Sequence, residues 1–133
     1  MALKINSEIP NLEIKTTQGL INTHEWSASS WGIIFSHPKD FTPVCTTELG
    51  ALSNLHDRFS VLNTKVLGVS IDSVEDHLEW IKDINELNNT KVKFPLIADE
   101  NLEFSKAFDM LPEEDIPSSS RTAVDNATVR VVY

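Results

Sequence analysis

The stretch Trp31–Glu48, WGIIFSHPKDFTPVCTTE, decides how this chain folds. It opens on an apolar run, Ile33-Ile34-Phe35, of the kind that makes a buried strand. It turns polar across Pro38 and Pro43 and reaches Cys45, the only cysteine in the sequence. Thr42-Pro43 reads as an N-cap followed by the first helical position. The threonine hydroxyl can accept from an unpaired backbone N–H, and proline lacks the N–H that would go unbonded there. Cys45 then falls at the third helical position, its sulfur near the positive end of the helix dipole. That setting favours the thiolate, which is the nucleophilic form. Glu48, one turn on, works against ionisation, so a cation has to offset it.

A lone cysteine is also commonly a small buried hydrophobe. A cysteine that only packs, however, needs no Pro-x-x-x-Thr-x-x-Cys in front of it. Outward from this stretch, strands and helices alternate. Residues 3–23 read as a short β segment in which Leu12 and Ile14 alternate with polar neighbours, Gln18-Gly19 makes a turn, and Leu20-Ile21 begins a return strand. After Cys45, Leu49, Leu52, Leu55 and Phe59 form one helical apolar stripe, slightly weakened by Gly50. Val66–Ile71 reads as a buried strand. Ser73-x-x-Asp76 resembles a capping box opening a helix with Val74, Leu78, Ile81, Ile84 and Leu87 on one face and Asn88-Asn89 at its end. Phe94–Ala98 reads as a short strand, Leu102–Phe108 as a short helix, residues 109–122 as a loop, and Thr128–Tyr133 as a last strand. Such alternation predicts an α/β layered domain with a central sheet, a single unit over residues 1–133.

Pro38, Thr42, Cys45 and Thr46 match the Pro-x-x-x-Thr-x-x-Cys-Thr signature of the peroxiredoxins. The longer runs SHPKDFTPVCTTELG (Ser36–Gly50) and SIDSVEDHLEW (Ser70–Trp80) resemble the one-cysteine subgroup, and the resemblance extends over essentially the whole chain. It implies a thioredoxin-like three-layer α/β fold with a central mixed sheet. Members of this subgroup are longer, so the chain resembles a form lacking the family's C-terminal elements. A final strand without its neighbour exposes unpaired backbone groups. The expectation is lowered stability or an altered oligomer, where a homodimer is otherwise expected.

The resemblance implies a thiol-dependent peroxidase acting on hydrogen peroxide and organic hydroperoxides. Cys45 is the nucleophile, Thr42 positions the peroxide and Pro38 walls the pocket. Of the late cations, Arg130 is chosen over Arg121, which reads as a solvated loop residue. An arginine on the otherwise apolar TVRVVY run is costly to bury unpaired, and the family carries an active-site arginine on this strand. His37 is a supporting candidate that either bonds near the thiol or is a structural loop histidine. Glu48 is expected to pair with arginine. With no second cysteine, an external thiol must reduce the sulfenic acid. The competing reading is a redox-sensing or interaction module in which Cys45 oxidises without turnover. Some relatives carry a phospholipase activity attributed to a Ser/His/Asp set. His24 and Ser30 match two of those positions, but without a Gly-x-Ser-x-Gly elbow.

Net charge is −9 and the sequence pI about 4.8, which disfavours nucleic acid and anionic membranes as partners. No apolar run approaches the ~20 residues of a membrane-spanning helix, and the N-terminus has no apolar signal-peptide core. One cysteine cannot form an internal disulfide, so a reducing, cytoplasmic setting is expected. The four histidines, His24, His37, His56 and His77, show no paired ligand spacing, so neither metal nor cofactor is expected.

Overall fold

A computed structural model of the chain describes residues 3–111, 128 and 131–133. The elements run β1 (Glu13–Thr16), β2 (Gly19–Asn22), α1 (Thr23–Ser27), β3 (Trp31–Ser36), α2 (Pro43–Asn54), α3 (His56–Val61), β4 (Thr64–Ser70), α4 (Val74–Asn88), β5 (Leu96–Ala98) and α5 (Glu103–Ala107). The five strands form one sheet in the order β2-β1-β5-β4-β3. β3, β4 and β5 are parallel, with Ile34 beside Leu67 and Val69 beside Ile97, whereas β1 runs antiparallel to both β2 and β5.

The free edge of β3 is covered by the chain's last residues. Ile34 N donates to Tyr133 O at 3.0 Å, Tyr133 N donates to Ile34 O at 2.8 Å, and Ser36 N donates to Val131 O at 2.9 Å. Residues 131–133 therefore add an antiparallel segment to the sheet at the end of the strand read from TVRVVY; Val129 and Arg130 of that strand, and residues 112–122 of the loop read before it, lie outside the described residues. Tyr133 also donates its hydroxyl proton to Phe108 O at 2.7 Å.

Side chains alternate across the central strands, so the sheet has two apolar faces. Ile34, Leu67, Val69 and Ile97 meet Phe104, Phe108 and Met110 on the α5 side. Phe35, Val66, Leu96 and Phe94 meet Cys45, Leu49, Trp80 and Ile84 on the side of α2 and α4. Gly68 sits between Phe35 and Leu96 on this second face. A Cβ there would lie 2.6 Å from Leu96 Cδ2, so the strand must carry glycine for the two large side chains to close over it.

Two helices depart from their sequence patterns. The stripe read from Leu49 to Phe59 is broken at Leu55, where an i→i+3 bond to Leu52 O ends α2 before α3 begins at His56. On α4 the buried residues are His77, Trp80 and Ile84, while Leu78 and Leu87 of the predicted stripe are 45% and 76% exposed. The helix is rotated because two polar groups find partners inside. Trp80 Nε1 donates to Thr46 Oγ1 at 2.9 Å, and His77 meets a buried carboxylate, Asp40. Its ends follow the sequence reading: Ser73 Oγ accepts from Asp76 N at 3.1 Å, and Asn89 ends it in the left-handed region.

Gly50 has a packing reason. A Cβ there would overlap the carboxamide of Asn88, which donates to Thr46 O at 3.3 Å and to Ile84 O at 2.9 Å. Alanine would gain about 1 kcal/mol of helix propensity but overpack the α2–α4 contact at about 1–3 kcal/mol. Gly50→Ala is therefore expected to lower stability by about 1 kcal/mol despite its better propensity. A chemical denaturation curve with an unchanged or raised midpoint would show that Asn88 gives way freely.

Candidate active site

β3 delivers its carboxyl end to the start of α2, and the loop His37–Thr42 between them is built almost wholly from the decisive stretch. His37 N donates to Val69 O at 3.1 Å, which carries the sheet register one residue past β3. Pro38 is half-buried, Lys39 and Phe41 are exposed, and Asp40 is buried. Phe41 takes a positive φ of 62°, a costly conformation for an aromatic residue, and so turns the chain into the helix.

Thr42 is the N-cap and Pro43 the first helical residue, as the sequence indicated. The cap works differently from the expectation. The Thr42 hydroxyl makes no cap hydrogen bond and donates backwards to Lys39 O at 3.1 Å, so it secures the loop instead of the helix. Cys45 sits at the third helical position and is only 1% exposed, packed with Phe35, Leu49, Trp80 and Leu96. Thr46 joins the site to α4: its hydroxyl donates to Thr42 O at 2.7 Å and accepts from the indole of Trp80. Glu48 is exposed. Arg130 and Arg121 lie outside the described residues. The residues flanking Arg130 converge on this corner: Thr128 Oγ1 donates to His37 O at 2.7 Å, and Val131 N donates to Ser36 Oγ at 3.0 Å.

His37 is not a simple loop histidine. Its Nε2 lies 2.7 Å from Asp40 Oδ1, and the other Asp40 oxygen lies 2.5 Å from His77 Nδ1. His77 Nε2 is 2.8 Å from Ile97 O. All three side chains are fully buried. Ser70 Oγ lies 2.8 Å from Asp72 Oδ2 and 3.3 Å from Asp40 Oδ1, and Asp72 Oδ2 also accepts from Asp40 N. Burial by itself would push the Asp40 carboxyl up, but hydrogen bonds from His37 and His77, and the charge of His77, hold it below its ordinary value. For His77, burial acts downward and is outweighed by the bond and charge of Asp40, so its pKa is raised.

Sequence reasoning missed Asp40 and His77. The available signal was His37-x-x-Asp40 inside the quoted stretch. The His77 partner is forty residues from His37, and only the β3–β4–β5 register brings them together. The expectation of no metal rested on ligand spacing in sequence, and the fold overturns that ground. The donor atoms of His37, Asp40 and His77 lie within 4.8 Å of one another. Both carboxylate oxygens and three of the four ring nitrogens are already engaged in hydrogen bonds, which is a closed polar network and not an open coordination shell. His24 Nε2 is bonded to Ile9 O at 2.7 Å, and no hydrogen bond joins it to Ser30 among the described residues.

The pattern of the AhpC/TSA family, matched over residues 5–132, covers this whole arrangement. The chain belongs to the AhpC/TSA family. Within it, this peroxiredoxin chain is 46% identical over 135 residues to peroxiredoxin-6 of Bos taurus, a match that covers 98% of the chain and 58% of that relative. It is 44% identical over 109 residues to a 1-Cys peroxiredoxin of Dictyostelium discoideum, covering 82% of the chain and 45% of the relative. Among solved structures it resembles a C45S mutant of peroxiredoxin 6 of Arenicola marina, with a TM-score of 0.87 and 35% identity over 99% of this chain and 59% of that one. A yeast mitochondrial 1-Cys peroxiredoxin follows at a TM-score of 0.80 and 37% identity, over 98% of this chain and 67% of that one. The peroxiredoxin chain thus has the thioredoxin-like fold with a mixed five-stranded sheet, and it spans little more than half the length of the peroxiredoxin-6 relatives. Among the described residues no helix is long and apolar enough to cross a membrane.

Proposed function

We propose that this chain is a thiol-dependent peroxidase acting on hydrogen peroxide and organic hydroperoxides. The observation that carries the reading is the placement of Cys45 at the third position of a proline-initiated helix, at the carboxyl end of β3. The Cys45 thiolate attacks one peroxide oxygen, the S–O bond forms as the O–O bond breaks, and the leaving alkoxide or hydroxide takes up a proton. The product is Cys45 sulfenic acid. Thr42 and the N–H groups of the first turn position the oxygens, Pro38 walls the pocket, and His37 and Glu48 support it. Arg130 supplies the cation that stabilises charge on the sulfur and the leaving oxygen. The hydrogen bonds of Thr128 and Val131 at the end of β3 support that assignment.

An external thiol attacks the sulfenic acid, releasing water and leaving a mixed disulfide that a second thiol reduces. The yeast mitochondrial relative is described with a thiol resolving mechanism via glutathione and thioredoxin systems, which supports a small thiol or a thioredoxin here. Homodimer formation and a cytoplasmic location belong to the same proposal. The exposed Phe41, Val44 and Leu87 near the helix start offer apolar surface for self-association.

Rapid mixing with substoichiometric peroxide tests the reading. Fast consumption of one peroxide per Cys45, followed by turnover once thiol is added, is the expected result. Oxidation at the rate of an ordinary exposed thiol would leave the non-turnover redox module as the better account.

A further inference from the structure

The two histidines that share Asp40 are not equivalent. His77 has an acceptor at each nitrogen: Asp40 Oδ2 at 2.5 Å from Nδ1 and Ile97 O at 2.8 Å from Nε2. A carboxylate oxygen and a carbonyl oxygen only accept, so both nitrogens must carry hydrogen and the ring is an imidazolium. His37 has one acceptor. Its Nε2 must donate to Asp40 Oδ1, while its Nδ1 is buried and has no hydrogen-bond partner among the described residues. A proton on Nδ1 would create a buried N–H with nothing to bond, which is costlier than leaving a lone pair there. His37 is therefore neutral, with Nδ1 as an acceptor. Its ring centroid lies 4.8 Å from that of Trp80, the planes tilted by 40°, and Trp80 packs in the same cluster as Cys45.

We propose that His77 is a standing buried cation that cancels the charge of Asp40, so that Asp40 orients His37 through Nε2–H without drawing a second proton onto Nδ1. Asp40 and His77 are thus positioning residues, and His37 Nδ1 is the acceptor for the O–H of the incoming hydroperoxide. This rests on the peroxidase reading for its substrate, but not for its charge assignment. The direction in which Asp40 and His77 titrate agrees with the ion pair. The ionisable groups that face His77 among the described residues are Asp40, from the β3–α2 loop, Asp72, from the β4–α4 loop, and the His37 ring, at 6.2 Å.

Long-range proton–nitrogen NMR spectra of the reduced full chain decide the charge assignment. The expected result near neutral pH is a doubly protonated His77 and a neutral His37 in the Nε2–H tautomer, assigned by single substitutions. A neutral His77, or a His37 carrying its proton on Nδ1, overturns the proposal. In His77→Gln the cation is gone, so His37 should become protonated on Nδ1, and oxidation of Cys45 by peroxide should slow by at least about tenfold, the low end of what orienting partners contribute. A His77→Gln protein that folds and keeps both the His37 tautomer and the oxidation rate also overturns it. If that variant does not fold, the wild-type spectrum still decides. Slow oxidation in the wild type would defeat the peroxidase reading alone, because the histidine spectra do not depend on turnover.

Discussion

Replacing Cys45 with serine is expected to remove peroxide turnover altogether, a loss of at least about a thousandfold, since no other group takes over from a deleted nucleophile. A serine hydroxyl in the same place stays protonated at neutral pH and is a poor nucleophile without an adjacent base. The effect should be chemical and not structural. Cys45 is 1% exposed among Phe35, Leu49, Trp80 and Leu96, and serine is its nearest match in size. Burying a hydroxyl there costs about 1–3 kcal/mol if it finds no partner, and less if it bonds within the helix's first turn. The variant should therefore melt cooperatively, a few degrees below the parent, while consuming peroxide only at the uncatalysed rate. Intact mass after peroxide treatment gives a second reading, because the parent should gain one oxygen and the variant none. Retained turnover would mean that the sulfur is a packing group after all.

The decisive stretch carried much of the fold because its signals are local. An apolar run, a loop with two prolines and a threonine–proline helix start leave few alternatives, and β3, the loop and α2 fall where those residues put them. Cys45 at the third helical position follows from the same local rule. The break at Leu55 was not legible, since apolar periodicity continues smoothly across it. The face of α4 was misread for a different reason. Ranking residues by hydrophobicity puts Leu78 and Leu87 inside and leaves His77 out, whereas burial of His77 depends on Asp40, thirty-seven residues away. A buried charge is decided by its partner, and the partner is set by strand register, which no local pattern encodes. Remote capping of α5 was hidden in the same way: Asp99 accepts from Phe104 N at 3.0 Å and Ser105 N at 2.7 Å in place of a cap at Leu102.

The largest stability effect is expected at Asp40. Asp40→Ala removes the carboxylate hydrogen-bonded to the buried His77 imidazolium and takes away the partner of His37 Nε2. Breaking a buried pair from one side costs about 3–5 kcal/mol, a large share of the roughly 5–15 kcal/mol that holds a domain together. Asp40→Asn keeps the shape and one acceptor, and should cost less. The pH dependence separates a lost ion pair from a lost packing group. Asp40 has its folded pKa below the ordinary 3.8, so its contribution is present above that value and fades as pH falls through the lower, folded one. His77 has its folded pKa above 6.5, so its contribution is complete below that value and fades as pH rises through the higher, folded one. The parent should thus exceed Asp40→Asn by most between those two values, and the gap should narrow as pH rises further. Urea unfolding of both proteins from about pH 4 to about pH 9 measures that gap directly. A gap that stays constant across this range would assign Asp40 a purely steric role. A gap that widens toward alkaline pH would mean that His77 is neutral in the fold and that the carboxylate is held by His37 alone.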